Sequence, residues 1–109
     1  MTAYIAPGIL APEEVIANHW NIKLTDMYKR TRQRDIVEAR QVAMWYMVTI
    51  QRYTLHQAGD VFKLDHATAH YARNAVNDLM QVDRAFRLKV TAVVNKLRKI
   101  TPKVNNELN

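Results

Sequence analysis

Cysteine is absent from this chain of 109 residues, which removes disulfides, thiolate-held zinc, iron–sulfur clusters and thiol nucleophiles together. Glycine and proline are scarce, with 2 and 3 copies, so long helices joined by short connections are expected rather than a turn-rich fold. Long apolar runs are missing too: charges interrupt each one well short of the roughly 20 residues a bilayer span needs. The start, Met1-Thr2-Ala3-Tyr4, lacks the basic segment of a secretion signal. A cytoplasmic protein with no membrane span or anchor is therefore expected. No Gly-rich phosphate cradle, Ser/His/Asp set or acid pair can be found, so neither an enzyme nor a cofactor is expected.

What is present describes an ordinary globular domain. The composition is 49% hydrophobic and 24% charged, and the length suits one compact unit with a modest core. Lysine and arginine outnumber acids 16 to 10, a net charge of +6 that favours polyanions: nucleic acid first, an anionic membrane surface second.

Residues 1–11 carry Pro7 and Gly8 and no steady apolar period, and read as an extended arm. From Pro12 the pattern turns helical, with Glu13 and Glu14 at the positive end and Val15, Ile16 and Trp20 on one face, ending near Asn21. Thr25-Asp26 opens a short helical turn. A basic segment follows (Lys29, Arg30, Arg32, Arg34, later Arg40), offset only by Asp35 and Glu38. Ile36, Ala39, Ala43, Met47 and Ile50 then mark a buried stripe, which finishes near Arg52-Tyr53. Thr54 and Asp65 read as N-caps of a short helix, 55–62, and a longer one, 66–81. The longer helix turns Ala69, Ala72, Val76, Leu79 and Met80 inward. Asp83 caps a last helix with Phe86, Val90, Val93, Val94 and Leu97 inside. Residues 101–109 read as a frayed tail. Trp20, Trp45, Tyr46 and the methionines fall at core spacings. With no strand pattern, the chain reads as all-α.

Two capped helices around a very short turn have the layout of a helix-turn-helix, whose second helix meets base edges in the major groove. Removing the inward positions from helix 66–81 leaves His66, His70, Arg73, Asn74 and Asn77 as its outer face, able to donate to bases and phosphates. The same residues would also suit a plain solvated helix. His66 and His70 stand one turn apart, but no cysteine or carboxylate pair completes a metal site, and none is expected. Asp65 could accept from a cytosine amino group or serve only as a cap; the two roles are compatible. The segment Lys29-Arg30-Thr31-Arg32-Gln33-Arg34 suits a phosphate backbone or a narrow minor groove. The basics of the last helix and tail (Arg84, Arg87, Lys89, Lys96, Arg98, Lys99, Lys103) are spread around it and read as solubilising.

The run from Arg32-Gln33-Arg34 through Ala39-Arg40-Gln41-Val42-Ala43-Met44 resembles the basic loop and following helix of the C-terminal DNA-binding domain of the bacterial replication initiator DnaA. Leu55 through Gly59 to Phe62, then Asp65-His66-Ala67-Thr68-Ala69-His70-Tyr71-Ala72, is similar to that family's helix-turn-helix. The resemblance extends from about Glu13 to Leu97 and implies an all-α helix-turn-helix bundle of five to six helices, similar to the Trp-repressor fold, over residues 12–100. It implies a monomer on double-stranded DNA, with other replication proteins as further partners. Carried over by position, Arg32 would enter the minor groove, Arg34, Arg40 and Gln41 would hold phosphates, Asp65 and His66 would read the major groove, and Thr68 would touch the backbone. Ala67 replaces the family's first hydroxyl residue and keeps a methyl able to touch thymine. Lys63-Leu64 shortens a glycine- and arginine-bearing turn, His70 and Tyr71 replace an aliphatic residue and a histidine, and Ala39 replaces a proline. Altered or relaxed sequence preference is therefore expected. The family's ATPase lies upstream, and with about a dozen residues ahead of the domain this chain is not expected to act as an initiator by itself. The alternative is a degenerate copy that binds acidic proteins through the same face.

Overall fold

The computed structural model describes residues 11–100. Of the expected N-terminal arm only Ala11 falls within them, and the expected tail over 101–109 lies outside. The order is α1 (Pro12–His19), a 3-10 turn (Leu24–Tyr28), α2 (Arg34–Thr49), α3 (Leu55–Val61), α4 (His66–Val82) and α5 (Arg84–Ile100). All regular elements among the described residues are helical, as the all-α expectation requires.

Helix α2 is the centre of the molecule. Six consecutive residues, Val42 to Met47, are buried, which a helix achieves only when neighbours cover it on several sides. Helix α4 lies on α2 and α3, α1 packs on α2, and α5 packs on α4 and α1. The expected inward residues of α1, α2 and α5 are buried, with one exception: Ile50 is 37% exposed. The helix stops at Thr49, and Ile50 serves as its C-cap beyond the core stripe. In α4, Ala69, Ala72 and Val76 are buried and Leu79 and Met80 half-buried.

Polar fasteners fix the packing. Trp45 Nε1 donates to Asn77 Oδ1 at 2.8 Å, tying α2 to α4. Asn77 is exposed, as its spacing suggests, and at the same time anchors a helix–helix seam. Trp20 Nε1 donates to Glu38 Oε1 at 2.9 Å, and the Lys89 ammonium sits 4.3 Å from the Trp20 ring centroid. Lys96 Nζ lies 2.9 Å from His19 Nδ1, and Arg87 donates to the Met80 carbonyl at 2.7 Å. These α5 cations, expected to be merely solubilising, thus also hold α5 against its neighbours.

Candidate nucleic-acid interface

Caps and one close approach build the turn between α3 and α4. Thr54 Oγ1 accepts from the Gln57 amide at 3.1 Å while Gln57 Oε1 accepts from the Thr54 amide at 2.8 Å, a reciprocal box that pins the first turn of α3. Asp65 Oδ1 accepts from the Thr68 amide at 2.8 Å and from its hydroxyl at 2.7 Å, so the expected N-caps are both present. The hydrogen bonds lower the Asp65 pKa below the usual carboxylate value. Between the caps, the Leu64 amide donates to the Gly59 carbonyl at 2.9 Å. A Cβ on Gly59 would meet the carbonyl oxygens of Leu64 and Asp65 at 2.5 and 2.8 Å. Lys63 completes the turn with φ of 57°, in the left-handed region that glycine occupies most readily.

This turn delivers the first turns of α4 to solvent. Asp65, His66, Ala67, Thr68 and His70 are exposed and Arg73 is half-buried. The Thr68 hydroxyl is engaged with Asp65, leaving its lone pairs outward. His70 Nε2 lies 3.4 Å from Asn74 Nδ2, and Arg73 Nε is 3.4 Å from Asn74 Oδ1. Two residues outside the expected site share the surface. Tyr71, 66% exposed, stands one helical turn beyond Ala67. His56 of α3 meets His66 ring to ring, with centroids 4.4 Å apart and planes at 33°. Tyr71 had a signal in the sequence, since it falls on the same outward stripe as Ala67 and Asn74; His56 had none, because its partner lies across the turn.

The basic segment is held at both ends. The Tyr28 ring packs on Phe62 of the helix-turn-helix, with centroids 5.6 Å apart, and Arg34 opens α2. Between them, the Arg40 guanidinium donates to the carbonyls of Lys29 and Met27 at 2.7 and 3.1 Å and more weakly to that of Thr31 at 3.5 Å. Its partial burial lowers its pKa. Arg40 thus has a task not visible in the sequence, fastening the loop that carries the other arginines. Arg32 and Arg34 are exposed and, among the described residues, make no hydrogen bond or ion pair. They border a groove of about 420 Å³ with Gln41, Val37, Ala75, Val76, Leu79 and Phe86.

Arg32 and His66 are therefore both solvent-facing and related through α4. Its third turn, at Ala75, adjoins the arginine loop, while His66 opens the helix. No group of three or more metal-ligating side chains is found among the described residues, and none of their helices is long and apolar enough to cross a membrane.

Two short-linked capped helices, the second flanked by a fastened arginine loop, define a helix-turn-helix module. The profile described as "Bacterial dnaA protein helix-turn-helix" matches residues 13–76, and the chain belongs to this family. It is similar to the protein named chromosomal replication initiator protein DnaA of Gluconobacter oxydans (strain 621H), 39% identical over 72 residues, covering 65% of this chain and 15% of the relative. The protein of the same name from Campylobacter concisus (strain 13826) is 28% identical over 85 residues, 77% of this chain and 20% of the relative. That of Rickettsia canadensis (strain McKiel) is 31% identical over 87 residues, 79% of this chain and 19% of the relative. The chain thus corresponds to no more than a fifth of the length of these relatives.

Proposed function

We propose that this chain binds duplex DNA, with the first turns of α4 in the major groove and the loop around Arg32 and Arg34 at the neighbouring minor groove. The observation that carries the reading is the pairing, in one helix-turn-helix module, of two exposed arginines without an ion pair among the described residues and an exposed, capped helix start. Ala67 gives the outward face a methyl in place of the family's first hydroxyl, and Tyr71 a phenol in place of a histidine, which supports a sequence preference of its own. The relatives bear the name of a replication initiator, and a role in regulating replication or transcription by occupying such sites is the matching biological proposal.

Selection of bound duplexes from a random pool, followed by fluorescence anisotropy on the winning sequence at several salt concentrations, tests the reading. Recovery of one motif with a steep salt dependence is expected. Failure to bind any duplex at micromolar protein and low salt would replace DNA with an acidic protein partner for the same basic face.

A further inference from the structure

His66 opens the outward face of α4, and a lone surface imidazole there would sample several rotamers. It does not stand alone. The His56 ring lies against it at a centroid separation of 4.4 Å and 33° between planes, within the range of an offset aromatic pair. Both rings come from the first turn of a capped helix: Thr54 and Gln57 pin α3, and Asp65 pins α4. Gly59 sets the spacing, since its missing side chain lets the backbone of Leu64 and Asp65 close over it. The backbone positions that bring the two exposed rings together are therefore set by the turn.

We propose that His56 is a positioning residue for DNA recognition: its ring fixes the orientation of His66, so that His66 meets a base edge with little ordering left to do on binding. This rests on the duplex-binding reading above. The relevant property is the flat ring of His56, not its nitrogens, because the rings meet as a tilted, offset pair and no hydrogen bond between them is found among the described residues. A phenyl group can supply the same face, whereas a methyl cannot.

The test uses the full chain and the variants His56→Ala, His56→Phe, His66→Ala and the double variant His56→Ala/His66→Ala. In the free protein, carbon–proton spectra of the histidine rings should show the His66 resonances displaced by His56→Ala and displaced far less by His56→Phe. On duplexes carrying each single base change in the selected site, His56→Ala should lower discrimination by about fivefold or more at the same base pair that His66→Ala affects. His56→Phe should stay within about twofold of the unsubstituted chain, the scale on which an equivalent packing partner leaves an interaction intact. The double variant should discriminate no worse than His66→Ala. Unchanged discrimination in His56→Ala, equal damage from Phe and Ala, or additive effects in the double variant each overturn the proposal. Should the unsubstituted chain bind no duplex, the DNA reading itself falls and the recognition role falls with it; the ring displacements would then report the contact alone. Binding by the unsubstituted chain with a neutral His56→Ala overturns only the positioning role.

Discussion

At the scale of single residues, the recognition turn depends on two positions with opposite backbone demands. Gly59 is helical but crowded: an added Cβ would lie 2.5 Å from the Leu64 oxygen, and that oxygen belongs to backbone that cannot swing aside. Gly59→Ala should destabilise the fold by about 1–3 kcal/mol, the usual range for overpacking, although alanine is the better helix former. Lys63 presents the converse case. Its φ of 57° carries the steric cost of a Cβ in the left-handed region, and among the described residues its side chain makes no hydrogen bond or ion pair that would offset this. Lys63→Gly should raise stability by about 0.5–1 kcal/mol, the penalty relieved being partly cancelled by a freer unfolded chain. Urea denaturation of both variants measures the signs. A stable Gly59→Ala protein would mean that the α3–α4 turn can open without cost, and a destabilised Lys63→Gly protein would mean that the lysine side chain holds the turn.

At the scale of elements, periodicity and capping chemistry read most of the fold from the sequence, because Thr54, Asp65 and Asp83 are strong local signals and the apolar stripes of α1, α2 and α5 are regular. What escaped were contacts between elements, for which a single sequence holds no period. Asn77 looks outward on a helical wheel yet bonds Trp45; Arg40 looks like one more basic residue yet grips loop carbonyls. If the main role of Arg40 is fastening, Arg40→Ala should speed amide exchange at Lys29 to Thr31 and lower stability by about 1–3 kcal/mol. Arg40→Lys should recover only part, since a single ammonium cannot reproduce the guanidinium fork. Unaltered exchange combined with lost DNA affinity would instead make Arg40 a direct phosphate ligand. The α1–α5 seam gives a pH prediction. Burial first, then the charges of Lys96 and Lys89, hold the His19 pKa below its ordinary value. The unfolded chain therefore takes up a proton at higher pH than the folded one, and stability is fully present above about 6.5 and declines as pH falls toward the lowered folded value. His19→Gln should show a shallower loss of melting temperature between pH 7.5 and pH 5, about the span over which an imidazole titrates. Parallel curves for the two proteins would remove His19 from the account.

At the scale of the whole molecule, the proposed binding mode assigns affinity and selectivity to different parts of the protein, and salt separates them. Arg32 and Arg34 have no carboxylate partner among the described residues, so their charge is available to phosphates without first breaking an internal bond. Each phosphate neutralised releases counterions and adds about 0.9 to the slope of log affinity against log salt. The double variant Arg32→Ala/Arg34→Ala should thus lower that slope by about 2 and weaken binding to selected and random duplexes alike. In the proposed binding mode, His66→Ala removes a group that would meet a base edge. It should leave the slope nearly unchanged while reducing preference for the selected duplex by about 1–3 kcal/mol. The fastened loop makes this separation possible: Arg40 and the Tyr28–Phe62 contact hold the arginines in place whatever base lies under α4. Titrations of the unsubstituted chain, the arginine variant and His66→Ala on selected and random duplexes at four salt concentrations give both quantities from one data set. Equal slope changes in the two variants, or a loss of preference in the arginine variant as large as in His66→Ala, would show that the loop and the helix start read DNA as one unit, because counterion release alone cannot distinguish one sequence from another.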